Sequence, residues 1–304
     1  MKSLFLVVGW LLLCVIAAAL ITPWLYLGVH EIAAHVSSFD WLASKKFHRY
    51  FNRLVMVFAL LGIVPLGRLL GYRTWESLGL GGMHRSGRLW FGFLTSALFL
   101  GLLAAVIGLA GFTEVDPGIG ATEIVKSLLG VTAAALAVAF VEEIFFRGFL
   151  YDIARKDLSQ LAAVILVSFF YSLVHFIKSP GDYQISEVHW DTMFQLLPNY
   201  FSGIRHLDSF VFSFLNLFIA GWMLAWAFQG TGNLYLSIGL HAGWVWALKM
   251  NGRLTEWTTQ YTTDWQWLLG YEGDMVSSSM ALVVLCVQWW LLRRLSRQLV
   301  VLGP

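Results

Sequence analysis

Two adjacent carboxylates and an arginine interrupt one of the apolar stretches of this chain. The stretch reads VEEIFFRGFLY, so that Glu142, Glu143 and Arg147 fall where a membrane helix is predicted. An ionisable side chain at the centre of a bilayer costs roughly 3 kcal/mol or more and almost always faces protein or a water-filled cavity. These charges therefore need partners, and they indicate a functional site.

Glu143 and Arg147 provide one pair of partners. Residues four apart lie on the same face of an α-helix, so these two side chains can form an ion pair. Glu142 points about 100° away from Glu143 around the helix axis. The pair accounts for the arginine and one carboxylate, and Glu142 is the carboxylate that chemistry has to explain.

Two histidines are candidates to share that chemistry. His175 ends the apolar run FFYSLVHF, and His241 lies within SIGLHAGWVW. A single histidine among apolar neighbours is commonly structural. Two histidines and two carboxylates, all in segments where polar groups are expensive, together predict a shared polar site.

A cluster of Glu and His side chains supports two kinds of chemistry, which the residue types do not separate. A carboxylate and an imidazole can take a proton from water and return it to a leaving amine, as general base and acid. The same groups are ligands for a divalent metal such as zinc, which would itself acidify the water. The HExxH zinc motif is absent, so a metal site would have to be assembled from three helices.

Membrane helices are the elements that must position these residues. The chain of 304 residues is 58% hydrophobic and 12% charged, whereas soluble domains have about 25% charged residues. A spanning helix needs about 20 apolar residues. We therefore predict an all-α, polytopic membrane helix bundle of about eight transmembrane helices, forming a single membrane domain (1–304) with a motif-bearing core at about 120–250. The predicted spans are 4–29, 53–71, 89–112, 125–150, 158–177, 208–229, 233–250 and 276–293.

Charge and cysteine content argue against other classes of protein. The net charge is +2 and the basic residues are scattered, which argues against a nucleic-acid partner. Cys14 and Cys286 lie in separate apolar runs, so neither a disulfide framework nor a thiolate metal site is predicted. Basic residues near the span ends favour cytoplasmic termini. In that topology one basic loop lies on the opposite side, and it carries Lys45, Lys46, Arg49 and Arg53.

Three motifs, taken in order, resemble those of the CPBP family of intramembrane proteases, also called the Abi or CAAX-protease family. They are Glu142-Glu143-x-x-x-Arg147, an aromatic-x-x-x-His motif with Tyr171 and His175, and His241 in a later span. The resemblance implies that Glu142 activates the attacking water and that His175 helps to hold or deprotonate it. It also implies that Glu143 and Arg147 organise the first motif, and that His241 stabilises the oxyanion or assists the water.

Two positions depart from the pattern of that family. Val245 stands where the third motif usually has Asn or Asp, four residues after His241. Tyr171 stands where the second motif usually has phenylalanine, and its hydroxyl needs a polar partner if the side chain is buried. The polar cluster is one candidate for that partner.

The resemblance implies an intramembrane endopeptidase, glutamate-type or metal-dependent, that acts on a membrane-associated or lipidated peptide. Such an enzyme would need either no cofactor or a divalent metal such as zinc, with Glu142, His175 and His241 as the candidate ligands. The expected partners are a peptide or protein substrate and the lipid bilayer. The expected location is a bacterial inner membrane, with several spans and both termini cytoplasmic. The alternative is a non-catalytic protein on the same scaffold, such as a bacteriocin immunity or assembly factor, ahead of a proton-coupled transporter.

Overall fold

Helices dominate the computed structural model, which describes residues 2–82, 85–177, 187–204 and 207–299. Within these residues the strands are β1 (Thr113–Val115) and β2 (Thr255–Trp257), which pair antiparallel. The predicted all-α membrane bundle is confirmed. The chain forms two compact units, the first made of residues 1–73 and 175–205, the second of residues 74–174 and 206–304. The single domain expected from the sequence stays a prediction.

The helices follow one another with short connections. In chain order they are α1 (Lys2–Ala33), α2 (Asp40–Ala43), α3 (Phe47–Leu69), α4 (Arg85–Leu109), α5 (Ala121–Glu143), α6 (Asp152–Asp157), α7 (Gln160–Val174), α8 (Thr192–Leu196), α9 (Leu207–Thr231), α10 (Tyr235–Leu254), α11 (Gln266–Leu269) and α12 (Ser279–Leu299). A π-helical segment, Ile144–Tyr151, joins α5 to α6. Short 3₁₀ helices occupy Ser37–Phe39, Glu76–Leu78, Leu197–Ile204, Thr263–Trp265, Tyr271–Gly273 and Met275–Ser277.

Among the described residues, five helices are long and apolar enough to cross a membrane. They are Ser3–Ala33, Phe47–Leu69, Arg85–Leu109, Ala121–Asp157 and Ser209–Thr231. Each of the eight predicted spans overlaps a helix, but the count of eight is not confirmed. Helix α7 has only 15 residues, fewer than the roughly 17 that a span needs. Helix α10 is buried by protein from Leu236 to Trp244, so its side chains need not suit lipid.

In the first unit, α1 packs against α3 and α8 around a small aromatic core. Ala18 and Ala19 are completely buried on α1 and leave room for larger side chains. Phe51 of α3 and Tyr200 occupy this space, with their ring centroids 5.3 Å apart in an edge-to-face arrangement. These contacts hold the N-terminal end of α3 in place.

In the second unit, α10 lies directly against α4 because glycines allow the two backbones to meet. A Cβ atom at Gly239 would lie 2.1 Å from a backbone carbonyl oxygen of α4, and one at Gly243 would lie 2.3 Å from another. On α4, Gly92 is equally confined by the backbone of α10. Small residues four apart are a common means of close helix packing in membranes. His241 lies between the two glycines of α10, so this contact fixes its position.

A buried hydrogen-bond chain attaches α12 to the same pair of helices. Trp244 Nε1 donates to Gln288 Oε1 at 2.9 Å, and Gln288 Nε2 donates to Ser96 Oγ at 2.9 Å. Gln288 has no exposed surface, so both halves of its amide need these partners. Helices α4, α10 and α12 thus form a rigid scaffold behind His241.

Candidate active site

Glu142 and Glu143 are the last two residues of α5, and Arg147 lies in the π-helical segment that follows. A π-helix has i→i+5 hydrogen bonds, is rare, and is frequently found at functional sites. Nearly all of its residues are buried here. Gly148 permits this enclosure, because a Cβ atom there would lie 2.5 Å from the carbonyl oxygen of Leu78. The motif therefore sits where the helix is both irregular and surrounded by protein.

The ion pair expected between Glu143 and Arg147 is present. Arg147 Nη1 donates to Glu143 Oε1 at 2.7 Å, and neither side chain has any exposed surface. A buried charge without a partner costs several kcal/mol. The pair therefore explains how both charges are tolerated inside the protein.

Two further contacts hold the guanidinium of Arg147. Its Nη2 donates to the carbonyl oxygen of Gly221 on α9 at 3.2 Å. Its Cζ lies 4.5 Å from the centroid of the Tyr171 ring on α7, a cation–π contact. Gly221 keeps α9 close to α7, since a Cβ atom there would lie 3.1 Å from Ser168 and 3.2 Å from Tyr171. Three helices thus converge on one buried cation.

Glu143 also binds His241. Glu143 Oε1 lies 2.9 Å from His241 Nδ1. Because the same Oε1 already accepts from Arg147 Nη1, it is the acceptor here as well, and the proton of this hydrogen bond is assigned to Nδ1. A neutral imidazole then carries its lone pair on Nε2. The Glu143–Arg147 pair therefore selects the tautomer of His241 and orients its ring, as carboxylate partners do for catalytic and metal-binding histidines.

Glu142 lies on the other side of the same imidazole. Its Oε2 is 3.8 Å from His241 Nε2, too far for a direct hydrogen bond and too close for a water to lie between the two atoms. The Glu142 side chain is 29% exposed, whereas Glu143 is 0% and His241 is 4% exposed. The two carboxylates, predicted to point in different directions, thus face opposite nitrogens of one ring. Glu142 is the carboxylate of the pair that a substrate can reach.

Tyr171 lies beside His241, on the Nε2 side of its ring. Its side chain is buried, and its hydroxyl oxygen lies 3.5 Å from His241 Nε2. The two rings are nearly perpendicular, with an interplanar angle of 86°. The polar partner that the sequence required for this hydroxyl therefore lies in the cluster. A hydroxyl donor now accompanies the carboxylate and the imidazole.

His175 and Val245 are two other residues singled out in the sequence. His175 directly follows the last residue of α7, is half-buried, and belongs to the first unit. Its role in holding the water stays a prediction. Val245 lies one turn beyond His241 on α10 and is half-buried. Its side chain offers no polar group to the cluster.

The residue types of the cluster include possible metal ligands. Within the described residues, no three His, Cys, Asp or Glu side chains are placed so that they could hold a metal ion. Glu143 holds His241 Nδ1, so Nε2, which faces Glu142, is the nitrogen that could bind a metal. Zinc sites have three or four protein ligands. The described residues thus bring together two possible ligands, Glu142 and His241 Nε2, and the set Glu142, His175 and His241 stays a prediction.

Comparison with known proteins bears on the same part of the chain. Residues 124–247 match the family model described as type II CAAX prenyl endopeptidase Rce1-like. The resemblance to the CAAX proteases is confirmed. This Rce1-like segment covers less than half of the chain and includes Glu142, Glu143, Arg147, Tyr171 and His241. No curated protein and no solved structure matches the chain.

Some of the residues that position this candidate site were not identified from the sequence. Gly239 and Gly243 form a small-x-x-x-small pattern around His241, which membrane-helix packing rules could have identified. Gly221 binds Arg147 through its backbone carbonyl, and a backbone contact leaves no side-chain pattern. The π-helical segment likewise has no sequence signature of its own.

Proposed function

We propose that the protein is an intramembrane endopeptidase of the CAAX-protease type, which hydrolyses a peptide bond of a membrane-associated or lipidated peptide. The observation that carries the proposal is the approach of Glu142 Oε2 to within 3.8 Å of His241 Nε2, on a carboxylate whose side chain is 29% exposed. The match of the Rce1-like segment to a prenyl endopeptidase family supports this class of activity.

The nucleophile in this proposal is a water molecule bound beside Glu142 and His241, within reach of both side chains. Glu142 takes a proton from the water as the water oxygen bonds to the scissile carbonyl carbon. Glu142 then gives this proton to the leaving amine as the C–N bond breaks. His241 Nε2 accepts a hydrogen bond from the water. Any positive charge that develops on the imidazole is stabilised by Glu143 through Nδ1.

Tyr171 supplies the hydrogen-bond donor of the proposed site. Its hydroxyl lies on the Nε2 side of His241, where the carbonyl oxygen of a substrate bound near Glu142 would carry negative charge. A fixed donor in a water-poor site stabilises such a charge more strongly than it would in bulk water. His175, if it shares the water as the family resemblance implies, adds a second imidazole.

The charges of the second unit support a cytoplasmic C-terminus, and the cytoplasmic N-terminus stays a prediction. Basic residues gather at the end where α4 begins and where α6 and α12 end, and these are Arg85, Arg88, Arg155, Lys156, Arg293 and Arg294. The loops at the other ends of α4, α10 and α12 carry mainly carboxylates, which are Glu114, Asp116, Glu256, Asp264, Glu272 and Asp274. The positive-inside rule places the basic end in the cytoplasm. A bacterial inner membrane is the location we propose.

The test is hydrolysis by the full-length protein in lipid nanodiscs. The substrate is a fluorescence-quenched peptide in which a prenylated cysteine is followed by the last three residues of the peptide. Glu142→Gln preserves the shape of the side chain but cannot take the proton, so we expect about a 100-fold or greater loss of rate. Glu123→Gln is the matched control, because Glu123 is on the same helix and 62% exposed. Full activity of Glu142→Gln would contradict the proposal.

A further inference from the structure

The corner between α2 and α3 concentrates positive charge at the end of two membrane helices. Four of the nine residues from 45 to 53 are basic, and these are Lys45, Lys46, Arg49 and Arg53. We call residues 39–53 the basic corner. It joins the C-terminal end of α1 to the N-terminal end of α3, and both helices are candidate spans. The corner therefore lies at the level of the lipid headgroups.

Hydrogen bonds hold the backbone of the basic corner in one shape. Tyr50 Oη donates to the carbonyl oxygen of Leu42 at 2.7 Å, and Ser44 Oγ donates to that of Trp41 at 2.8 Å. Tyr50 is buried, and its ring packs edge-to-face on Tyr26 of α1 with centroids 5.3 Å apart. The basic side chains thus extend from a backbone that is already ordered.

Arg49 and Arg53 form no ion pair with any residue that the structure describes. Arg49 and Arg53 are four apart on α3, so two like charges share one helix face. No acidic residue occupies the first turn of α3, where the helix dipole favours negative charge. Both arginines are exposed, and none of the ion pairs formed by the described residues includes either of them. A bound anion would reduce the repulsion between Arg49 and Arg53, and it would also interact favourably with the N-terminal end of the α3 dipole.

Exposed aromatic rings accompany these charges. Trp41 is 66% exposed and Phe39 is 37% exposed. Lys45 Nζ lies 4.7 Å from the centroid of the Trp41 ring, within cation–π range. Tryptophan is enriched where a membrane meets water, and basic residues beside apolar ones suit an anionic amphiphile. A small soluble anion would make no use of the two rings.

We propose that the basic corner binds the phosphate headgroups of anionic phospholipids. Arg49 and Arg53 bind the phosphate, and Trp41 and Phe39 contact the glycerol and upper acyl region. This binding site is independent of the proposed protease function, since it uses no residue of the Rce1-like segment.

The test compares lipids retained by the full-length protein in detergent. Native mass spectrometry measures retention from an equimolar mixture of phosphatidylglycerol and phosphatidylcholine. The wild type is expected to retain phosphatidylglycerol preferentially. In the variant Arg49→Gln/Arg53→Gln this preference should fall about tenfold or more, given the attraction per arginine near an anionic surface. The charge-conserving variant Arg49→Lys/Arg53→Lys and the control Arg68→Gln, at the other end of α3, should keep it.

Three results would overturn the proposal. One is equal retention of the two lipids by the wild type, and another is an unchanged preference in Arg49→Gln/Arg53→Gln. The third is displacement of phosphatidylglycerol by an equal concentration of inorganic phosphate, which would identify a soluble-anion site. The salt dependence of the wild type gives a readout that does not depend on how any variant folds. Added salt should weaken retention of phosphatidylglycerol by screening, and salt-insensitive retention would oppose the proposal.

Discussion

His241 Nδ1 lies 2.9 Å from the same carboxylate oxygen of Glu143 that binds Arg147. Glu143 therefore has two tasks, because it compensates the buried guanidinium and also orients the imidazole. The ion pair and the proposed catalytic histidine are coupled through a single oxygen atom. A change in either residue of the pair should consequently alter both stability and hydrolysis.

Removal of one partner of the ion pair should destabilise the fold. Glu143→Gln or Arg147→Met leaves an uncompensated buried charge, at an expected loss of about 3–5 kcal/mol in the free energy of unfolding. The double variant should lose less than the sum of the single losses. Hydrolysis should stay low in all three, because Glu143→Gln no longer stabilises His241 and Arg147→Met no longer holds Glu143. Detergent-induced unfolding and peptide hydrolysis measure the two effects, and a double variant with wild-type activity would show that the pair is purely structural.

The Nε2 atom of His241 can be removed while the contact to Glu143 is kept. In His241→Asn the amide nitrogen can still donate to Glu143, but no atom occupies the position of Nε2. We expect hydrolysis to fall about 100-fold while the free energy of unfolding changes by about 1 kcal/mol. His35→Asn is a suitable control because His35 is 76% exposed. If His241→Asn kept wild-type activity, Nε2 would not be required for hydrolysis.

The hydroxyl of Tyr171 can be separated from its ring. Tyr171→Phe keeps the ring over Arg147 and should change the free energy of unfolding by only about 1 kcal/mol. Loss of the donor should reduce kcat about tenfold and leave KM nearly unchanged. Tyr171→Leu removes the ring as well and should also lower stability. If Tyr171→Phe retained wild-type kcat, the hydroxyl would have no part in transition-state stabilisation.

The close contact of α4 and α10 should not tolerate even one methyl group at its centre. Gly243→Ala places a Cβ atom 2.3 Å from a backbone carbonyl oxygen, so we expect a loss of about 1–3 kcal/mol and a lower rate as His241 shifts. Gly252→Ala is the matched control on the same helix, since no atom lies within 4 Å of its Cβ position. Thermal unfolding in nanodiscs compares the two. Equal stability of both variants would show that the helices can separate without consequence.

The spacing of charged residues was sufficient to predict part of this site. Glu143 and Arg147 pair as their four-residue separation indicates, because the local geometry of a helix depends mainly on spacing. The presence of His241 beside the carboxylates also agrees with the expected shared polar site. The number of spans was less predictable, because helix α10 is covered by protein and is not selected for contact with lipid.

Contacts between distant helices could not be predicted. Nothing in the sequence shows that Glu143 faces Nδ1 of His241 and that Glu142 faces Nε2, because this depends on the rotation of α10 against α5. The Arg147 contact to Gly221 joins residues 74 positions apart through a backbone atom. Such contacts follow from how the helices pack, and periodicity within one helix carries no information about them.

The π-helical segment makes the site sensitive to residue count rather than to side-chain identity. One residue turns an α-helix by about 100°, so a deletion between Glu143 and Arg147 would carry the arginine away from its counter-ion. A conservative exchange of Ile144 or Phe145 has no comparable effect. In an alignment of related chains, a gap at this place is therefore a stronger sign of lost hydrolysis than a conservative replacement of Ile144 or Phe145.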